Sequence, residues 1–260
     1  MTPTRRISLQ HLHNLRDLGG YQAAEARVTS WRRLFRSDCP ARATNTEWAT
    51  LRDLGITTLV DLRSSAECLD KPVDVPDAMA YCHCPLLGER AGDGGPNAAS
   101  RAYMRSMSLD YAEMMGRSLD GAAHALSVIL GVLRDGGGVD FFCTAGKDRT
   151  GMIAACILYL CGVGDDDIVA DYCLTEVYNA NVVARQINAM PEEVKRRLPP
   201  GRLELASASR PQTMRDFLAW AHGHDLVSLL EAHGFNRTEQ DELRQLLTDV
   251  TAHVRSASRA

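Results

Sequence analysis

Residues 139–160 read "VDFFCTAGKDRTGMIAACILYL", and the fold turns on how they are read. The short apolar run "VDFFC" follows the turn "RDGGG" at 134–138 and predicts a buried strand. From Arg149 onward the residues are small and apolar, which predicts a buried helix. Between the two lies a turn whose successive backbone N–H groups meet a helix N-terminus, a ready anion site. Ala145 and Gly146 let that backbone approach an anion closely, and Arg149 supplies a planar fork suited to two phosphate oxygens. The same positive surroundings favour the thiolate of Cys143, the form that attacks. Thr150 is placed to donate its hydroxyl to the sulfur. Each part has a use in phosphoryl transfer through a cysteinyl-phosphate intermediate.

Working outward, the first third of the chain reads as strands and turns. "WRRLFRS" (31–37), "ITTLVDLR" (56–63) and "AMAYCHCPL" (78–86) predict strands, and "TNTEWATLRDLGI" (44–56) a helix capped by Thr44 or Asn45 and stopped by Gly55. "GERAGDGGPN" (88–97) predicts a Gly-rich loop. Residues 98–134 turn helical, with breaks expected near Gly116 and Gly121. Beyond 149 nearly everything predicts helix, including "TEQDELRQLLTDVTAHV" (238–254), with the linker "LPPGRLELASASRP" (198–211) dividing the series. Strands first and helices afterwards predict an α/β fold, a central sheet flanked by helices, with extra helices before and after the cysteine loop. The 260 residues are expected to form one domain, 1–260.

The net charge of −4 gives no reason to expect nucleic acid or an anionic membrane as a bulk partner. No secretory signal is expected at the N-terminus, and the longest apolar run, near "GMIAACILYLCGVG", is too short to span a bilayer. Eight cysteines are spread through the chain without a Cys-x-x-Cys pair, so a cytoplasmic protein with mostly free thiols is expected. "CHC" at 82–84 offers too few ligands for a metal, and strand alternation puts both cysteines on one face, so core packing is expected there. His11, His13, His83 and His124 show no spacing that singles them out.

A cysteine and an arginine six apart are a weak signal alone. Cys84 and Arg90 in "CPLLGER" repeat the spacing, but Pro85, two leucines and Glu89 make no phosphate cradle. The copy at 143–149 adds loop composition, a following threonine and a strand-to-helix setting. "CTAGKDRTG" resembles the signature loop of the cysteine-dependent protein tyrosine phosphatase superfamily, in the form of the bacterial branch that acts on phosphotyrosine and often on phosphoinositides. "NLRDLGGY" (14–21), "RLFRSD" (33–38), "LGITTLVDLRS" (54–64) and "DELRQLL" near the C-terminus resemble that branch's other blocks, in order.

The resemblance implies Cys143 as nucleophile, Arg149 as phosphate clamp and the backbone of Thr144, Ala145, Gly146, Lys147, Asp148 and Arg149 as phosphate cradle. It implies no metal and no cofactor, and a helical cover over the pocket in relatives, for which 98–134 is the candidate. The leaving oxygen needs a proton. Asp148 is the candidate acid and Asp93, in the Gly-rich loop, the alternative. Lys147 suits a second substrate phosphate or is a solvated charge. Asn14, Arg16 and Asp17, beside the turn-forming Gly19 and Gly20, are read as a hydrogen-bonded support near the loop. Asp61 and Arg63, at a strand's end, are read as supportive, Arg63 also as pocket-facing. The superfamily usually has histidine before the cysteine; here stands Phe142, which cannot hydrogen-bond and implies a less tightly organised loop.

Three functions fit: a phosphatase of phosphotyrosine or phosphoinositides, the same chemistry on a small phosphorylated metabolite, and a phosphate-binding pseudophosphatase without turnover.

Overall fold

The computed structural model describes residues 4–87, 110–197 and 208–250. Its centre is β7 (Gly138–Phe142), a strand buried on both faces, as its nearly continuous apolar sequence requires. On one side it pairs in parallel with β4 (Leu34–Ser37), and on the other with β5 (Ile56–Asp61). Parallel β6 (Ala80–His83) and antiparallel β1 (Arg16–Asp17) close the edges, giving the order β1-β4-β7-β5-β6. A second sheet joins β2 (Gln22–Ala23), β3 (Arg27–Thr29) and β8 (Thr248–Val250).

Alternation along the strands divides the apolar side chains between two cores. Val139, Phe141 and Cys143 enter the larger, and Phe142 enters the smaller with Leu12, Leu15, Phe35, Trp48 and Leu59. Helix α1 (Asn45–Asp53) covers the smaller core, and its first turn is closed by a Thr44–Glu47 capping box. The short α2 (Ser65–Asp70) follows β5. The larger core is built from α3 (Tyr111–Gly116), α4 (Leu119–Arg134), α5 (Asp148–Leu160) and α6 (Asp165–Ala189). After α7 (Glu192–Arg197), helices α8 (Pro211–Gly223), α9 (Leu226–Ala232) and α10 (Arg237–Leu247) add to that core.

Four local expectations are corrected. The 31–37 segment is strand only from Leu34, because Arg32 turns the chain at φ 61°. Gly121 does not break a helix. It lies inside α4, where a Cβ would stand 2.5 Å from the Leu86 carbonyl oxygen, so glycine lets the helix approach that backbone. The helix expected to continue past 247 ends there, and Thr248–Val250 instead complete a sheet against β3, where Thr29 faces Thr248. Of the expected cover at 98–134, residues 98–109 lie outside the described residues, while α4 packs on β5 and β7 as core, with Leu126, Ile129 and Leu130 fully buried. The Gly-rich loop with Asp93 and most of the 198–211 linker also lie outside the described residues. Cys82 and Cys84 both pack into the larger core.

One polar residue stands inside β7. Asp140 is fully buried; its Oδ2 accepts from Ser37 Oγ at 2.7 Å, and its Oδ1 has no hydrogen-bond partner among the described residues. Burial, with the nearby Asp38 carboxyl, pushes its pKa up to about 8. A carboxyl raised on folding binds a proton that the unfolded chain has released, so stability falls as pH rises from the ordinary carboxylate range through about 8. The slope reaches about 1.4 kcal/mol per pH unit. Asp140→Asn is expected to shrink that decline, so that urea midpoints at pH 5.5 and 8.5 lie closer together in the variant than in the parent, with Asp38, raised to about 6, keeping part of the difference.

Candidate active site

Cys143 follows β7 directly, and α5 begins five residues later at Asp148. The turn between them is tied from behind. Asn14 Nδ2 donates to the carbonyls of Ala145 at 3.1 Å and Gly146 at 2.9 Å, Asn179 Nδ2 to Ala145 at 2.9 Å, and Arg36 Nη2 to Gly146 at 2.8 Å. In a planar trans peptide the N–H points opposite to the carbonyl. Holding these two carbonyls outward therefore turns the N–H groups of Gly146 and Lys147 toward the concave side of the loop. Gly146 adopts φ 65°, and a Cβ there would stand 2.3 Å from the Ser37 carbonyl oxygen, so only glycine fits.

Arg149 is held by a residue that the sequence reading missed. Glu67 takes Arg149 Nη1 on one oxygen at 2.6 Å and Nη2 on the other at 2.8 Å, and also accepts from Thr144 Oγ1 at 2.6 Å. Burial alone would raise the Glu67 pKa, but Arg149 and Thr144 overcome it and hold the carboxyl at about 2. A guanidinium has five N–H donors. Glu67 takes the terminal edge, and Nη2 also reaches Thr144 Oγ1 at 3.5 Å, so Nε–H is the donor turned to neither. The local signal was a capping box, "SSAE", in which Ser64 and Glu67 close the first turn of α2. Glu67→Gln removes the charge and leaves one of the two acceptor oxygens that hold Arg149. It is expected to lower kcat/KM on an aryl phosphate by about 10- to 100-fold, the worth of one hydrogen bond to a charged group; steady-state kinetics checks it.

Behind the loop lies a buried ion network. Asp171 on α6 accepts from Arg16 Nε at 2.8 Å, Arg36 Nη1 at 2.6 Å and the Tyr21 hydroxyl at 3.1 Å. Arg16 donates in turn to the Asn14 side-chain oxygen at 2.5 Å. Asn14 thus bonds the loop directly, and Arg16 bonds Asn14. Asp17 does neither: its oxygens accept from the backbone N–H groups of Gly19 and Arg32, each at 2.8 Å, and pin the turn between β1 and β4. Arg63 does not face the pocket either. It pairs with Asp61 at 2.6 Å, donates to the Lys71 carbonyl at 2.9 Å and lies 5.6 Å from the Phe142 ring. Its hold on the end of α2 steadies the helix that carries Glu67.

A model of the tyrosine phosphatase family matches residues 7–249, nearly the whole chain. The chain belongs to that family. A tyrosine-protein phosphatase relative from Cupriavidus necator is 32% identical over 179 residues, covering 67% of this chain and 64% of the relative. The triple specificity protein phosphatase PtpB of Mycobacterium tuberculosis is 35% identical over 166 residues, 54% of this chain and 59% of PtpB. The matched part thus spans about three fifths of these relatives' lengths. The crystal structure of P. aeruginosa TpbA is 16% identical, with a TM-score of 0.41, over 82% of this chain and 96% of that one.

In this tyrosine phosphatase-family site, Asp148 is the first residue of α5 and accepts from the Tyr111 hydroxyl at 2.7 Å; Lys147 Nζ is 3.6 Å from the same oxygen and donates to the Ala208 carbonyl at 3.3 Å. Thr150 departs from expectation. Its hydroxyl is buried without a hydrogen-bond partner among the described residues, so the bond to the Cys143 sulfur is not formed. Phe142 points away from Cys143 into the smaller core. The loop's ties come instead from Asn14, Arg36, Asn179 and Glu67. No group of three or more metal-ligating side chains occurs among the described residues.

Proposed function

We propose that this chain hydrolyses phosphomonoesters through a phosphocysteine on Cys143, with phosphotyrosine as its substrate. The observation that carries the reading is the fixing of the Ala145 and Gly146 carbonyls from behind, in a loop between Cys143 and an Arg149 whose guanidinium is held by Glu67. The Cys143 thiolate attacks phosphorus and forms the S–P bond as the P–O bond to the tyrosyl oxygen breaks. That oxygen takes the proton of the Asp148 carboxyl. Water then attacks the phosphocysteine, gives its proton to the Asp148 carboxylate and returns the thiolate. Lys147 and the rim of the loop suit a wider range that includes phosphoinositides, and the relative PtpB carries triple specificity in its name. A cytoplasmic location belongs to the same reading, since all eight cysteines are free and a reducing compartment keeps Cys143 from oxidation. No helix among the described residues is long and apolar enough to cross a membrane.

The test is acid-quenched turnover of a phosphotyrosine peptide in excess chelator, with mass analysis of the Cys143 peptide. A transient phosphocysteine supports the proposal. Hydrolysis without it, or only with added metal, overturns it. Parallel assays with a phosphoinositide and a small sugar phosphate separate the substrate readings, and phosphate binding without turnover on any of them marks a pseudophosphatase.

A further inference from the structure

Tyr111 opens α3 and is buried among rings. Its ring meets Tyr172 edge-on at 5.8 Å between centroids and Phe217 edge-on at 6.5 Å. A tyrosine drawn into such a site needs a partner for its hydroxyl. This one has two, Asp148 Oδ1 at 2.7 Å and the Tyr172 hydroxyl at 2.8 Å. Tyr111 carries a single hydroxyl hydrogen, and a carboxylate only accepts. The hydrogen of Tyr111 therefore goes to Asp148, and Tyr172 supplies its own to the Tyr111 oxygen. Burial and the neighbouring Asp148 keep the Tyr111 hydroxyl protonated, its pKa well above the usual tyrosine value.

We propose that Tyr111 is a positioning residue for the acid: by donating to Oδ1 it turns the Asp148 carboxyl so that Oδ2 holds the proton delivered to the leaving oxygen. The inference rests on the reading of Asp148 as general acid. Lys147 Nζ lies 3.6 Å from the same Oδ1 as an ion pair, so a hydrogen bond and a positive charge both face that oxygen, and the proton is placed on the other. The tyrosine pair lies outside the signature loop, on α3 and α6, and ties two core helices to the orientation of one carboxyl.

A proton matters most to a poor leaving group, so the test compares phenyl phosphate with dinitrophenyl phosphate. Tyr111→Phe keeps the ring contacts and removes only the donor. It is expected to lower kcat on phenyl phosphate by about 10-fold, the low end for a hydrogen bond to a charged group, and to change dinitrophenyl phosphate by less than about 2-fold. Adding it to Asp148→Asn is expected to cost nothing further on phenyl phosphate. Tyr172→Phe, one hydroxyl further out, is expected to show the same selectivity with a smaller loss, and it stands in if Tyr111→Phe fails to fold. Equal losses on both substrates overturn the positioning role. If Asp148→Asn itself is insensitive to the leaving group, the acid reading fails, and the two failures are told apart.

Discussion

Cys143→Ser is expected to abolish turnover while leaving phosphate binding intact. A serine hydroxyl stays protonated at neutral pH and is a far weaker nucleophile than a thiolate. Losing an enzyme's nucleophile costs on the order of 10⁶-fold in kcat. The cradle does not depend on the sulfur. The carbonyls of Ala145 and Gly146 are held by Asn14, Asn179 and Arg36, and Arg149 is held by Glu67. On the proposed mechanism the attacking group is a thiolate, and a neutral hydroxyl in its place puts no negative charge beside the anion, so inorganic phosphate should bind at least as well as to the parent. Nitrophenyl phosphate kinetics and phosphate titration calorimetry check both halves. Residual turnover above about a hundredth of the parent's would show a different nucleophile, and lost phosphate binding would show that the sulfur helps to build the loop.

The strand, loop and helix of 138–160 were legible because their logic is local. An apolar strand, two small residues, a basic fork and an apolar helix follow one another within one stretch of chain. What escaped were the acids of the support, Glu67 and Asp171, because their partners are distant in sequence. Arg149 and Glu67 are 82 residues apart, and Arg16 and Asp171 155 apart. Each carries a faint local mark. Glu67 completes a capping box, and Asp171 is a lone acid between the buried Val169 and Tyr172, on the face of α6 that turns inward. Such marks say that a residue is held by something, but not by what. The same limit explains Arg63, whose place at a strand's end fits a pocket wall as well as its observed role over Phe142. Thr248–Val250 misled differently. The helical period of 237–247 runs into β-branched residues, and only the edge of β3 decides that they pair as a strand.

Phe142 acquires a plainer meaning in that setting. Strand alternation sends its side chain to the smaller core, and the loop is organised from the other side by carboxylate, amide and guanidinium groups. A hydrogen-bonding residue at 142 is not the only means of fixing a phosphate loop. Here the load is spread over Asn14, Arg36 and Asn179, so the anchor shared by Arg36 and, through Arg16, by Asn14 becomes the decisive residue.

That anchor is Asp171. Arg16 and Arg36 are both almost fully buried, and Asp171 is the acid that neutralises them. Burial alone would raise its pKa, but the two arginines hold it at about 2, while burial and Arg16 lower Arg36 to about 10. Asp171→Asn keeps the shape and removes the charge, leaving two buried cations facing one another. Breaking a buried pair in this way costs about 3–5 kcal/mol, a large share of the stability of an ordinary domain. The thermal midpoint is expected to fall by roughly 10 °C. Because the folded-state pKa is depressed, the parent's extra stability is present above the ordinary carboxylate range and is lost as pH falls toward about 2. The variant's stability should therefore change less than the parent's across that acid interval. Activity should fall with it, even in the cold where the variant remains folded, since Arg36 loses the partner that aims it at the Gly146 carbonyl. Calorimetric melting at pH 7 and pH 3, with kinetics at low temperature, decides the matter: a midpoint within about 2 °C of the parent at pH 7 would mean that Asp171 is not the anchor.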